Sequence, residues 1–407
     1  MHPVARLPEE WKESLAARGE RPFRAQQIFK WIHAHGVLEP ERMTDVPEAL
    51  RGWVRDEGVP SVAETTQVHR SSDATRKLLL RMADGATIET VLIPASKVNE
   101  QDADLAGADD DEDEEPPQSQ ISSGGNVIST DAVRRGGEQT ARAGRPGGTK
   151  GQGARVTQCI STQVGCAMGC VFCASGVAGL KRHLGPHEIV AQVILGRRAL
   201  DPGEELRNIV LMGMGEPLHN YEPVARALRL LTHPMGMNLS PRRITVSTSG
   251  LVPEIERLGR EFAGQIGLAV SLHAADDATR TALMPVNRKY PLGELMTALR
   301  AYPLPKRRRI FIEYTLVAGK NDDLAEARKV SRLLRGLPVK INLIPMNPIE
   351  ASSLGTPPME RVYAFQQLLI DDGYTCFVRK RRGDDVAAAC GQLALLGAKP
   401  RLRPRPS

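Results

Sequence analysis

From residue 156 to 345 six short β-rich runs (VTQCIS, NIVLMG, RITVST, IGLAVSLH, IFIEYTLV and KINLIPM) are separated by segments with room for one helix each. Such repetition builds β-α units around a parallel sheet. Six strands of this kind curl into part of a barrel, and chemistry then gathers on the loops after their C-terminal ends. The alternative, an open doubly wound sheet, expects a glycine-rich fingerprint after the first strand. A cysteine loop follows it instead. The expected class is therefore α/β, with a partial (βα)6 barrel over 156–348.

The flanking segments read differently. Trp11, Trp31 and Trp53 all fall in the first 54 residues, where Ile28, Trp31 and Ile32, then Val46, Ala49, Leu50 and Trp53, recur at helical spacing. This predicts a small helical module whose tryptophans pack a core, with base stacking as the sharper alternative. Residues 76–94, RKLLLRMADGATIETVLIP, read as two apolar strands around the Asp84-Gly85 turn. Glu89 shares a face with Val91 and Ile93, either as a plain edge carboxylate or as one kept for proton transfer. Spacing alone favours the edge reading. Residues 1–94 are accordingly read as an N-terminal accessory domain.

Residues 95–155 carry the acidic run DDDEDEE followed by Ser, Gly and Arg, with almost no large apolar side chains. Such a stretch buries too little surface to offset its ordering entropy, so it reads as a disordered insertion. Residues 349–407 form a C-terminal extension with a basic tail. The chain as a whole has 54 Lys and Arg against 48 Asp and Glu, net +6, while residues 100–155 hold 12 acidic and 6 basic residues. Everything outside that segment therefore sums to +12, a surplus suited to a polyanionic partner. A merely soluble basic enzyme would show the same charge. The runs Lys306 to Arg309 and Arg379 to Arg382 are the candidate contacts for such a polyanion, or else solvated faces. No apolar run is long enough to span a membrane and the start lacks a signal-peptide core, so a cytosolic monomer is expected.

Six cysteines stand at 159, 166, 170, 173, 376 and 390. Four of them within fifteen residues is not the spread of a disulfide framework. Cys166-Ala-Met-Gly-Cys170-Val-Phe-Cys173 brings three thiolates onto one short loop. Structural zinc prefers a closed set of four, which Cys159 could complete. A cubane iron-sulfur cluster held by three cysteines instead leaves one iron open to a substrate.

Further polar groups fall at the ends of the expected strands. Gly213-Met214-Gly215-Glu216-Pro217 follows the second, where glycine admits close backbone approach and Glu216 can pair with an ammonium. Ser247-Thr248-Ser249-Gly250 ends the third, Ser271-Leu272-His273 the fourth and Asn347 the sixth. Any one of these is ordinarily a satisfied loop residue, but together they line up on the side of the sheet where ligands bind.

CxxxCxxC after the first strand resembles the radical S-adenosylmethionine (SAM) superfamily. With IETVLIP (88–94), CISTQVGCAMGCVFC (159–173), GMGEPLHNY (213–221), VSTSG (246–250), SLHA (271–274), INLIPMNP (341–348) and RRGDDVAAACGQL (381–393), the chain resembles the RlmN/Cfr family of RNA methyltransferases. The resemblance covers essentially everything outside 95–155. It implies a [4Fe-4S] cluster on Cys166, Cys170 and Cys173, and SAM held by Gly215, Glu216, Ser247, Ser271, Leu272, His273 and Asn347. It further implies methylation at carbon 2 of an adenosine in 23S ribosomal RNA, and also in tRNA, with flavodoxin or ferredoxin as electron donor. Carbon 2 lies between two ring nitrogens and is too electron-poor to attack a sulfonium methyl, which calls for a radical route.

In that route, as the resemblance implies it, Cys390 accepts a methyl from one SAM, and a radical from a second SAM activates that methyl to add to the base. Cys159 then releases the product by forming a disulfide, and Glu89 takes the ring proton, so the edge reading of Glu89 gives way. Cys376 matches no functional position and reads as a small buried hydrophobe. The rivals are Cfr-type methylation at carbon 8, a zinc-bound RNA-binding protein without catalysis, and a radical SAM enzyme acting on a small molecule. The N-terminal module and RRGDDVAAACGQL favour carbon 2.

Overall fold

The computed structural model describes residues 1–95, 154–349, 352–379, 382–388 and 391–393. The N-terminal module is built from α1 (Pro8–Ala16), α2 (Phe23–Phe29) with a π-turn continuation at Lys30–Ala34, and α3 (Glu48–Asp56). Of the positions at helical spacing, Ile28, Ile32, Val46 and Leu50 are buried and Trp31 and Trp53 half-buried against them, while Ala49 is exposed. Trp11, Leu15, Ile28, Phe29, Ile32 and Val54 are wholly buried, and Trp11 meets Trp53 edge to face at 6.0 Å between ring centres. The indole N–H of Trp31 donates to Asp45. The tryptophans thus pack the module together, and Arg226 joins it to the barrel by donating to the Ala5 carbonyl at 2.9 Å.

A single sheet of ten strands follows. β1 (Ala63–Arg70), β2 (Arg76–Met82) and β3 (Thr87–Pro94) form an antiparallel meander, and β3 runs antiparallel to β4 (Ala154–Cys159). A two-residue pair, β5 (Gln163–Val164) with β6 (Arg182–His183), brackets the cysteine loop and the short α4 (Ala174–Ala178). Beyond α5 (Pro186–Arg198) come β7 (Glu204–Leu211), α6 (Tyr221–Thr232), β8 (Ile244–Thr248), α7 (Val252–Glu261) and β9 (Gly267–Ser271). The series closes with α8 (Asp277–Leu283), α9 (Leu292–Ala301), β10 (Ile310–Leu316), α10 (Leu324–Leu334), β11 (Val339–Pro345), α11 (Met359–Asp371) and β12 (Thr375–Val378).

The sheet order β1-β2-β3-β4-β7-β8-β9-β10-β11-β12 never reverses. A doubly wound sheet must reverse direction once; here each new parallel strand adds on the same side, and right-handed crossovers then keep the helices on one face. The result is the partial barrel, its outer face sealed by residues such as Ile189, Val193, Val224, Leu228, Ile255 and Leu258, all essentially without exposure. β1 and β12 are absent from the sequence reading. In β1 only Ala63 is buried, so an edge strand of mainly polar residues carries no alternating signal. β12 is four residues long and pairs Cys376 with Ile341. Burial pushes the Cys376 thiol up to about 12, which leaves it inert.

The acidic insertion lies outside the described residues apart from its ends. Those ends are adjacent: Pro94 pairs with Val156, and the Ala95 N–H donates to the Arg155 carbonyl at 2.7 Å. Replacing residues 96–153 by a four-residue turn is therefore expected to leave an ordinary β3–β4 hairpin and an intact fold. Loop-closure entropy predicts a gain of about 2 kcal/mol, read as a raised melting temperature. A variant that fails to fold would contradict this topology.

Candidate active site

The loops at the C-terminal ends of the parallel strands line an open cleft. Cys166, Cys170 and Cys173 line it together with Gly213, Gly215, Glu216, Ser247, Ser249, Ser271, His273, Glu313, Arg379 and Gly391. Most of the strand-end residues singled out in the sequence thus share one wall. Leu272 and Asn347 do not line it. Leu272 points into the core, as alternation along the strand requires between Ser271 and His273, and Asn347 is buried two residues beyond β11.

Each polar group in the wall is held from behind. Glu216 is buried; its Oε2 accepts the Ser249 N–H at 2.7 Å and its Oε1 the Leu218 N–H at 3.0 Å. Burial raises its carboxyl above the usual carboxylate range, opposed by those bonds. Gly215 has φ +106°, and a Cβ there would stand 2.6 Å from the Gln163 side chain, so no other residue fits the turn that presents Glu216. His273 accepts the Thr315 N–H on Nδ1 at 2.9 Å. Burial, then the nearby Arg280, lowers its pKa to about 3, so the ring is neutral and carries its proton on Nε2.

Sequence reasoning missed Glu313 and Arg280 as site residues and read Arg379 only as part of a basic run, not as part of the cleft wall. Glu313 accepts from Asn342 at 2.9 Å and lies 3.6 Å from Arg379; a lone carboxylate inside the apolar run IFIEYTLV was the available signal. Arg280 is wholly buried and donates to the carbonyls of Ser249, Leu272 and Ser271 at 2.7, 3.0 and 3.1 Å. It braces the ends of β8 and β9 beneath the cysteine loop, and no sequence pattern marks it.

The cysteine wall fits a polynuclear iron-sulfur group. Burial first, then the neighbouring Cys173 and Glu216 charges among others, pushes Cys166 up to about 12, and Cys170 is raised further by burial and the adjacent thiols. Three thiolates beside a carboxylate need compensating positive charge, which bound iron supplies. Among the described residues no three His, Cys, Asp or Glu side chains close on a single-ion position. Cys159, the fourth ligand of the zinc alternative, is not in the lining.

Cys159 and Glu89 lie on the β3–β4 pair. The register pairs Val91 with Cys159 and Leu79 with Glu89, so Glu89, Val91 and Cys159 project from one face of the β3–β4 pair. Thr90 and Gln158 take the opposite, helix-covered face, where Gln158 donates to the Gln192 carbonyl at 2.7 Å. Cys390 lies outside the described residues. Its described neighbour Gly391 lines the cleft and accepts the Ala174 N–H at 2.8 Å, one residue past Cys173. Upstream, residues 382–388 are pinned by the β1–β2 turn: Asp385 accepts from Ser71 Oγ at 2.5 Å and from the Ser72 N–H at 3.0 Å, and the Gly383 N–H donates to Asp73 at 3.0 Å. The run Lys306 to Arg309 enters β10 from its N-terminal end, opposite the cleft.

Comparison with known proteins places this site in a lineage. A family model described as the radical SAM superfamily matches residues 160–330, and one described as the ribosomal RNA large subunit methyltransferase N-terminal domain matches residues 8–57. The dual-specificity RNA methyltransferase RlmN of Sorangium cellulosum is 64% identical over 403 residues, covering 99% of this chain and 98% of the relative. The chain belongs to the RlmN family. The RlmN of Anaeromyxobacter dehalogenans is 42% identical, covering 96% of this chain and 91% of the relative. A crystal structure of a radical SAM methyltransferase from Sphaerobacter thermophilus superposes with TM-score 0.79 at 40% identity, covering 97% of this chain and 99% of that one. As an RlmN-family protein it is a SAM-dependent RNA methyltransferase with a [4Fe-4S] cluster and SAM as cofactors. No helix among its described residues is long and apolar enough to cross a membrane.

Proposed function

We propose that this enzyme methylates carbon 2 of an adenosine in 23S ribosomal RNA, and in tRNA as well, through a methylated Cys390. The observation that carries the reading is the shared inward face of Glu89 and Cys159, at the end of the sheet where the three-cysteine cleft opens and Gly391 is seated.

Cys166, Cys170 and Cys173 would hold the cluster, with SAM against Glu216, Ser247, Ser271 and His273. Gly215, Leu272 and Asn347 would shape that pocket through backbone approach and packing. Bound there, cluster and SAM supply an electron-driven hydrogen abstraction that opens a carbon-bond route to an electron-poor ring position. Cys390 carries the one-carbon unit as a thioether, and its carbon bonds to carbon 2. Glu89, on the face beside Cys159, accepts the proton displaced from that position. Cys159 as thiolate attacks the Cys390 sulfur; an S–S bond forms, the S–C bond breaks with its electron pair going to carbon, and that CH2 carbon takes up one proton to stay on the base as methyl. An external donor such as flavodoxin or ferredoxin supplies reducing equivalents, and the adenine is read out of its stack in the cleft.

Anaerobic reconstitution with labelled SAM and ribosomal RNA fragments or tRNA, followed by nucleoside analysis, tests this directly. The expected product is 2-methyladenosine from both RNAs. 8-Methyladenosine would assign the sister chemistry, and methylation of ribosomal RNA alone would remove tRNA from the reading.

A further inference from the structure

We infer that Lys77 is a positioning residue that holds the Glu89 carboxylate ionised and ties it to the segment leading into Cys390. This rests on the proton-acceptor role given to Glu89 above.

Lysine is among the side chains least often buried without a partner, yet Lys77 in the first half of β2 is 2% exposed and Glu89 0%. The register explains how they meet. Lys77 lies opposite Val91, so Glu89 is its diagonal neighbour on the same face, within reach of a long side chain. Nζ stands 3.1 Å from Glu89 Oε1 and also donates to the Ala387 carbonyl at 3.4 Å. Ala387, at φ +48°, is three residues ahead of Cys390 in the sequence.

A fold-stabilising purpose accounts poorly for this pair. Buried ion pairs are often no better for stability than apolar residues of equal volume, and the next residue, Arg76, already anchors the helix-side face through Asp201 and Glu204. Lys77 and Glu89 occupy the other face, which Cys159 shares. A carboxylate buried without a cation takes up a proton and can accept no second one. An ammonium has three donors; one serves Glu89 and another reads whether the 383–388 segment is in place. The charge that keeps the base ready is therefore shared with the chain that leads to the methyl-carrying sulfur.

The test is an anaerobic single turnover with labelled SAM and a ribosomal RNA fragment. Protein-bound RNA on denaturing gels and released methylated RNA are followed in wild type, K77R, K77M, E89Q and K77M/E89Q. Expected for K77M is persistent protein-linked RNA with release slowed at least tenfold, most of the rate returning in K77R. K77M/E89Q is expected to match E89Q, because both changes act on one proton transfer. Release by K77M at the wild-type rate, or a double variant slower than E89Q by the full K77M factor, would overturn the inference. If K77M alone fails to fold, K77M/E89Q, which removes both charges of the pair, decides against E89Q by the same criterion. E89Q releasing product at the wild-type rate would instead remove the base assignment itself.

Discussion

Alanine at Cys166, Cys170 and Cys173 together is expected to yield a colourless protein that neither cleaves SAM nor methylates RNA. The three thiols share the cleft wall with Glu216, and the burial, with the neighbouring charges after it, that raises Cys166 and Cys170 makes them dependent on bound iron for their charge. Removing one thiol already leaves a cluster site short of a corner; removing three leaves nothing to hold it. The expected effect on methylation is complete loss, because no polar route to an electron-poor ring carbon takes over. The fold should survive: the cysteines sit on a loop, while the sheet beneath is sealed by apolar residues such as Ile160, Ile209 and Val246. Iron analysis, the brown colour of the reconstituted protein and labelled-methyl transfer check the prediction together. Methyl transfer by the iron-free triple variant would refute the radical assignment.

The second large effect separates two cysteines by the step at which each variant stops. Cys390→Ala is expected to keep its iron and colour yet transfer no methyl and form no protein-linked RNA, since the sulfur that receives the one-carbon unit is gone. Cys159→Ala is expected to form the link and then stall, leaving RNA covalently attached, because the thiolate that would break the S–C bond is missing. Denaturing gels with labelled RNA read both. Turnover by Cys390→Ala at even a hundredth of the wild-type rate would exclude the S-methylcysteine route, and free methylated RNA from Cys159→Ala would reassign the resolving thiol.

Of the site, the sequence alone made legible the residues whose position follows from local order. The three cysteines share one loop, Gly215 and Glu216 one turn, and Ser247, Ser271 and His273 fall at or just past the ends of strands whose apolar runs are plain. Glu313 and Arg280 were not legible as site residues, and Arg379 only as part of a basic run. Arg280 acts on the ends of β8 and β9 from α8, and Arg379 meets Glu313 from beyond β12. Such contacts join segments far apart in the chain, and nothing in a local window records them.

Composition and periodicity determined the kind of fold and the helical module, because burial of alternating and helical faces is decided residue by residue along the chain; the thiol chemistry came from the resemblance of the CxxxCxxC loop to the radical SAM superfamily. Tertiary structure alone decided the pairing. The polar edge strand β1 is specified by its partner rather than by its own pattern, and the β2–β3–β4 register sets Lys77, Glu89 and Cys159 on one face. Shifting that register by one residue would turn Glu89 to the other face of the sheet. The carboxylate's place therefore depends on strand alignment, which only the assembled sheet fixes.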